Sequence, residues 1–125
     1  MTNSRSDMQS KMIPEKLQLR VRVTQEDIDK GCKYASDNCP VSRATNRALE
    51  GHFGEGAWSA CVRPLRMIAN RALARDDDKS MLLASTPESA SEFVWRFDSG
   101  FRVKPFEFKV TLNRTTRKEW LNGTV

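Results

Sequence analysis

Three cysteines and a single histidine are the side chains of this sequence that could bind a transition metal. Cys32, Cys39, His52 and Cys61 have the composition of a zinc site with three thiolates and one imidazole. Structural zinc sites usually contain a ligand pair about two to four residues apart, whereas six residues separate Cys32 from Cys39. The spacing therefore favours cysteines that pack as small apolar groups, and we expect no metal and no cofactor.

The histidine lies in a glycine-rich stretch that superficially resembles a phosphate-binding loop. Residues 51–56, Gly-His-Phe-Gly-Glu-Gly, lack the Lys and the Ser or Thr of a P-loop, and they follow a predicted helix instead of connecting a strand to one. His52 and Glu55 could form an acid–base pair, and His52 with a cysteine could form a nucleophilic pair. No pattern in the sequence brings these groups together, so we predict no catalytic residues and no enzymatic activity.

The positive charge is concentrated at the two ends of the sequence. Of a net charge of +5, residues 1–23 hold five basic and two acidic residues and residues 101–125 hold six and two, whereas residues 24–61 hold four and six. If the first and last strands are neighbours, their outward faces join into a basic surface carrying Arg20, Arg22, Lys104 and Lys109. Such a surface is typical of a solvated sheet face, or of a site for an anionic partner such as nucleic acid or an acidic protein.

Residues 85–112 predict the centre of the fold, because they contain a helix pattern followed by a strand pattern. Ser85-Thr86-Pro87-Glu88 combines hydroxyls, a proline and an acid, as at a helix start, and Gly100 can adopt the left-handed conformation that ends a helix. After Pro105 the apolar period changes to two, as in a strand with one buried face. The side chains expected on the buried faces are Ala90, Phe93, Val94, Phe97, Phe106, Phe108, Val110 and Leu112.

One strand and two helices are expected before residue 58. Alternation from Leu17 to Val23 predicts a strand, and Thr24 and Gly31 mark the start and end of a short helix. A second helix is predicted from Pro40, capped by the residue at 38 or 39 and ended by Gly51. Its expected inner face consists of Val41, Ala44, Thr45, Ala48 and Leu49, and its outer basic pair of Arg43 and Arg47.

The region from residue 58 to residue 84 begins with a predicted strand at Trp58 to Val62 and then allows two interpretations. Leu65 and the apolar residues that follow it fit helical spacing. Residues 75–79, however, indicate a turn, and the apolar run at 81–83 could return as a hairpin strand. We favour the hairpin, because it gives the sheet enough strands to cover two or three helices.

The predicted fold is α+β, a mainly antiparallel sheet of about four or five strands with two or three helices packed on one face. We expect a disordered tail at 1–14, one domain at 15–113 and a basic tail at 114–125. No apolar run approaches the roughly 20 residues that cross a bilayer. We therefore expect a cytosolic protein without membrane contact.

Two motifs are similar to segments of known proteins. The first is Asn38-Cys39-Pro40-Val41 followed by Ala44, and the second is Phe97-Asp98-Ser99-Gly100 followed by Val103-Lys104-Pro105-Phe106-Glu107-Phe108. Together with Ile28 and Gly31, they resemble a family of small uncharacterised proteins encoded by bacteriophages and prophages. The resemblance covers residues 17–49 and 85–112. It implies a shared fold, a phage origin and the cytoplasm of a bacterial host cell, and it assigns no chemistry to any residue.

Two functions fit these observations. The first is a non-enzymatic phage accessory protein that binds a host protein, such as a defence-system component, and inhibits or redirects it. The alternative is a nucleic-acid-binding module that uses the basic terminal strands and the helix arginines. Trp95 lies off the apolar stripe of its helix and would suit either a protein interface or base stacking. The residues predicted to contact a partner are Trp95, Arg96, Phe101, Arg102, Arg43, Arg47, Arg20 and Arg22.

Overall fold

The computed structural model describes residues 14–71 and 80–116, which form five strands and three helices. In chain order these are β1 (Lys16–Val23), α1 (Gln25–Lys30), α2 (Pro40–Phe53), β2 (Trp58–Val62), β3 (Arg66–Arg71), β4 (Ser80–Ser85), α3 (Glu88–Asp98) and β5 (Phe106–Thr116). The strands form one antiparallel sheet in the order β1-β5-β4-β3-β2. The prediction of an α+β fold is confirmed. The predicted N-terminal tail up to residue 13, the predicted turn at 75–79 and the chain after 116 lie outside the described residues.

The first and last strands are neighbours, which fulfils the condition for a shared basic face. Arg20 of β1 lies opposite Lys109 of β5, and the buried Leu19 lies opposite Val110. Because side chains alternate along a strand, one face of this pair is apolar and the other is charged. The strand β5 continues to Thr116, three residues beyond the predicted end of the domain at 113, and there it pairs with β4.

The β3–β4 hairpin confirms the favoured interpretation of residues 64–84, and the helical alternative is wrong. Met67 and Ala69 of β3 are buried and the intervening Ile68 is half-buried, which is the period of a strand. The two strands pair antiparallel, with Met67 opposite Ala84 and Ala69 opposite Leu82. Of the described apolar residues that suggested a helix, Ala69 lies on the buried face of β3, Ile68 on its other face and Leu65 in the preceding turn.

The helices cover the inner face of the sheet and close the core. Helix α2 contacts both β1 and β2, which are the two edges of the sheet, so the sheet curls around this helix. Val41 and Leu49 of α2 are fully buried there. Helix α3 contributes Phe93, whose ring centroid lies 4.8 Å from that of Phe106 in β5. None of the described helices is both long and apolar enough to span a membrane.

The predicted end of α2 at Gly51 is wrong, and the predicted start of α3 at residues 85–88 is confirmed but lacks the expected hydroxyl cap. Helix α2 passes through Gly51 and ends at Gly54, which has a φ of 96° and donates its N–H to the carbonyl of Glu50. Helix α3 begins after Pro87 without a side-chain cap. Thr86, one of the two hydroxyl residues at the predicted helix start, donates its hydroxyl to the carbonyl of Arg63 at 2.6 Å. The predicted caps Thr24 and Cys39 do accept from backbone N–H groups of their helices.

Helices α1 and α2 meet at a close corner around Gly31. A Cβ added at this glycine would lie 2.6 Å from Cδ of Pro40 and 2.8 Å from the carbonyl oxygen of Asp27. Neither atom belongs to a flexible side chain. The corner therefore excludes every side chain, although the φ of −71° at Gly31 suits any residue.

We predict opposite effects for two glycine-to-alanine variants. Gly31→Ala should lower the free energy of unfolding by about 2 kcal/mol or more, because the helices must move apart. Gly51→Ala, inside α2 with no atom within 4 Å of the added Cβ, should raise it by about 0.5–1 kcal/mol. Urea denaturation followed by circular dichroism measures both changes. An unfolding free energy of Gly31→Ala equal to that of the wild type would show that the corner is not tightly packed.

Candidate functional site

Four large apolar side chains are exposed among the described residues, and they lie together. Tyr34, Leu65, Trp95 and Phe101 are 79%, 80%, 60% and 53% exposed. The first three line one groove of about 1130 Å³, and the ring centroid of Phe101 lies 5.5 Å from that of Trp95. We call this site, from Tyr34 through Leu65 to Trp95 and Phe101, the apolar groove. Clustered apolar groups on a protein surface mark sites of interaction.

Helix α3 forms one wall of the apolar groove along its whole length. Glu88, Ser91, Glu92 and Trp95 recur at helical spacing of three and four residues, and all line the groove. The buried Phe93 belongs to the opposite side of the helix and packs on the sheet. One face of α3 therefore holds the helix to the core while the other remains open.

The β2–β3 turn forms the second wall and is fastened to the start of α3. The N–H of Thr86 donates to the carbonyl of Leu65 at 3.0 Å, and the hydroxyl of Thr86 donates to the carbonyl of Arg63. These bonds hold the turn while its Leu65 side chain remains exposed. The hydroxyl of Thr86, from the predicted helix start, thus holds the β2–β3 turn that forms this wall of the groove.

The loop between α1 and α2 supplies Tyr34 in an unusual backbone conformation. Tyr34 has a φ of 58°, and it is the one non-glycine residue with a positive φ in the described ranges. Its N–H donates to Oδ1 of Asp98 at 2.9 Å, and the N–H of Val62 donates to the carbonyl of Ser36 in the same loop. A left-handed conformation costs a non-glycine residue about 1 kcal/mol or more, and such strain concentrates at functional sites.

The apolar groove carries more acidic than basic residues, in contrast to the protein as a whole. Glu88, Glu92 and Asp98 line it, and Arg66 is the one basic residue among the described residues that do so. Arg96, on the adjacent side of α3, lies 3.4 Å from Glu92 through Nε and Oε1. The site therefore disfavours phosphate groups and favours cations.

The groove contains some of the predicted partner-binding residues. Trp95 lies in it, Phe101 packs against Trp95, and Arg96 pairs with Glu92 beside it. Arg102 is exposed on the loop after α3. A contribution of these side chains to partner binding stays a prediction.

Arg43 and Arg47 lie elsewhere, and the expected outer pair is instead bound to a buried carboxylate. Asp27 of α1 is 0% exposed. Arg47 donates to it in a bidentate manner, from Nη1 to Oδ1 at 3.0 Å and from Nη2 to Oδ2 at 2.6 Å. Nε of Arg43 lies 3.6 Å from Oδ1, and Nη2 of Arg47 also donates to the carbonyl of Arg22. These arginines connect α2 to α1 and to β1.

The outward face of β1 and β5 carries Arg20, Arg22 and Lys109 of the predicted basic surface together with an acid, whereas Lys104 lies in the loop before β5. Oε2 of Glu107 lies 3.0 Å from Nε of Arg20, and Oε1 lies 3.7 Å from Nε of Arg22. Lys109 lies opposite Arg20. Apart from Arg102 on the loop after α3, the predicted binding residues thus occupy three places: the apolar groove, the Asp27 cluster and the outward sheet face.

The cysteines and the histidine occupy unrelated positions. Cys39 is buried and caps α2 by accepting from the N–H of Ser42. Sγ of Cys61 lies 3.2 Å from the hydroxyl of Ser36, whereas Cys32 and His52 are exposed. In residues 14–71 and 80–116, no group of three or more His, Cys, Asp or Glu side chains has an arrangement that could hold a metal ion.

The sequence did not single out three residues that the structure shows to be important. These are Tyr34 and Leu65, which line the apolar groove, and Asp27, the buried carboxylate. A turn-rich loop gives no sign that its tyrosine is strained and exposed. Leu65 follows Pro64 in a turn, and an apolar residue there is a weak sign of a binding site. No family model, curated protein or solved structure matches the chain.

The surroundings of Asp27 shift its acidity. Burial alone would raise the pKa of this carboxyl, but the hydrogen bonds from Arg47 and from the N–H and hydroxyl of Thr24 outweigh it and hold the pKa below its ordinary value. A lowered pKa in the folded state stabilises the protein above the pKa of the unfolded chain, which is about 3.9. That stability is lost as the pH falls through the folded pKa.

We therefore predict a pH-dependent effect of Asp27→Asn. At pH 7 the variant should lose about 3 kcal/mol of unfolding free energy, because Arg47 and Arg43 keep their charges without a counterion. The difference from the wild type should begin to shrink below about pH 4, where the carboxyl of the unfolded wild type takes up a proton, and it should be smallest once the pH falls below the lower folded pKa, where the native carboxyl is neutral as well. Urea titrations across this pH range test it, with the exposed Asp29→Asn as the control. A difference that does not vary with pH would contradict the ion-pair argument.

Proposed function

We propose that the protein acts by binding another protein through the apolar groove, without catalysing a reaction. The observation that carries this proposal is the gathering of Tyr34, Leu65 and Trp95, from three separate segments, into one groove whose rim is fixed by hydrogen bonds. Aromatic side chains in such positions are the commonest energetic anchors of protein interfaces. The resemblance to phage proteins suggests that the partner is a protein in the cytoplasm of a bacterial host. Binding would inhibit that protein or redirect it.

The energetics of the groove suit a specific complex. Full burial of one large apolar side chain contributes about 1.5–3 kcal/mol, so three contribute about 5–9 kcal/mol before the entropic cost of association. Thr86 and Asp98 already hold the walls, through their bonds to Leu65 and Tyr34. Because the rim is ordered in the free protein, little further ordering is needed when the partner binds.

A triple variant of the apolar groove tests the proposal. We expect Tyr34→Asn, Leu65→Ser and Trp95→Gln together to abolish partner binding and to change the unfolding free energy by less than about 1 kcal/mol, since all three side chains are exposed. Asparagine is chosen at residue 34 because it tolerates a positive φ. Affinity capture from host-cell extract with quantitative mass spectrometry compares this variant with the wild type.

The matched control carries Arg20→Ser and Lys109→Ser on the outward sheet face. Proteins retained by the wild type and by the control, and lost from the groove variant, would support the groove as the docking site. If the groove variant retains the same proteins as the wild type, the proposal is wrong.

Nucleic-acid binding is the second candidate function, and the pairing of Arg20 with Lys109 across β1 and β5 favours it. Glu107 opposes it, because its carboxylate lies against Arg20 and Arg22 where a phosphate would have to approach. If this face binds nucleic acid, Glu107→Gln should strengthen the retention of DNA or RNA in gel-shift titrations at low salt. Added salt should weaken retention steeply. Absence of retention for both the wild type and Glu107→Gln would exclude this function.

A further inference from the structure

The shape and charge of the apolar groove indicate what kind of protein segment it accepts. The wall formed by α3 extends from Glu88 to Ser99, which at about 1.5 Å per residue is about 16 Å. An elongated groove of this length matches a short helix of about three turns or an extended strand of about five residues. A single small molecule would leave much of this wall uncovered.

Carboxylates lie at both ends of this wall, close to the apolar anchors: Leu65 is bonded to Thr86 just before the first acid, and Tyr34 is bonded to Asp98. Glu88 is at the start of α3, Glu92 is one turn later, and Asp98 is at the end. Trp95 stands between the last two. A segment that covers the anchors must also cover or approach these acids, and an acid that is covered without a counterion loses hydration without compensation.

The pair between Glu92 and Arg96 does not neutralise the groove permanently. Both side chains are more than half exposed, at 64% and 52%, and an exposed pair one helical turn apart contributes little to stability. Glu92 can therefore exchange Arg96 for a cation on the partner at little cost.

We propose that the partner presents a short basic amphipathic segment to the apolar groove, with two or more apolar side chains flanked by Lys or Arg. This proposal rests on the proposed function and specifies the partner's chemistry. Nucleic acid and anionic lipid surfaces are disfavoured as occupants, because their phosphates would face Glu88, Glu92 and Asp98. The apolar side chains fill the space between Leu65 and Trp95, and the cations face the acids.

Two synthetic peptides test this inference with the full chain. Both have about three helical turns and the same Leu and Phe residues, and they carry either Lys or Glu at the remaining positions. Fluorescence anisotropy should show that the Lys peptide binds at least about tenfold more tightly than the Glu peptide, and the preference should decline as salt screens the charges. Glu88→Lys with Glu92→Lys should reverse the preference.

A control variant with the same change in net charge separates local from general attraction. Glu50→Lys with Glu55→Lys alters exposed residues outside the groove and should leave the peptide preference in place. If both charge variants act alike, the preference arises from the net charge and the inference is wrong. Absence of Lys-peptide binding up to about millimolar concentration, an affinity of only about 4 kcal/mol, would also overturn it.

The triple variant of the groove distinguishes a failure of this inference from a failure of the proposed function. The Tyr34, Leu65 and Trp95 triple variant could lose the binding of both peptides while Glu88→Lys with Glu92→Lys leaves the preference for the Lys peptide unchanged. That result would retain the groove as a docking site and reject a basic partner. Peptide binding that survives the triple variant would reject the groove for both peptides. The capture experiment with the same variant then decides the proposed function independently.

Discussion

The buried carboxylate of Asp27 is the interaction on which the arrangement of the helices depends. It accepts from Thr24 at the start of α1 and from Arg47 of α2, and Arg47 reaches on to the carbonyl of Arg22 at the end of β1. A buried charge is tolerated only when nearly every acceptor position is satisfied, so this carboxylate constrains three elements at once. Gly31 completes the corner, because only a glycine lets α1 end so close to the start of α2 at Pro40. With this corner in place, α2 crosses the inner face of the sheet.

The position of α2 also explains how the edges of the sheet are protected. An exposed strand edge invites pairing with other chains. On β2, the N–H of Ala60 donates to Oδ1 of Asn46 in α2, and the N–H of Val62 donates to the carbonyl of Ser36. On β1, Arg47 covers the carbonyl of Arg22. The helix and loop that fill the curled sheet therefore also occupy hydrogen-bonding groups at both of its edges.

The elements of this fold were largely predictable from the sequence, because periodicity and capping are local properties. The alternation in β1 and β5, the caps at Thr24 and Cys39 and the left-handed Gly100 all needed only neighbouring residues. The failures involve distant partners. Gly51 is an ordinary helical residue because the chain turns toward β2 only at Gly54, and the hydroxyl of Thr86, one residue before the N-cap Pro87, donates instead to the distant carbonyl of Arg63.

The candidate site was harder to predict for the same reason. Trp95 could be identified as lying off the buried stripe of its helix, since helical geometry alone determines that. Tyr34 and Leu65 join it only through tertiary hydrogen bonds, to Asp98 and Thr86, that no local pattern contains. Asp27 resembled a solvent-exposed acid of a first helical turn until Arg43 and Arg47, from another helix, were placed over it.

The apolar groove and the Asp27 cluster are separate, so the cluster can stabilise the fold while the groove is available for the proposed binding. Exposed aromatic groups promote unspecific association, and the acids beside them limit it. An apolar segment without cations that covers Trp95 would also displace water from Glu92 or Asp98 and leave a carboxylate uncompensated, whereas a segment with a suitably placed Lys or Arg avoids this loss. In the proposed complex, the aromatic side chains would provide affinity, and the carboxylates would restrict which partners can make use of it.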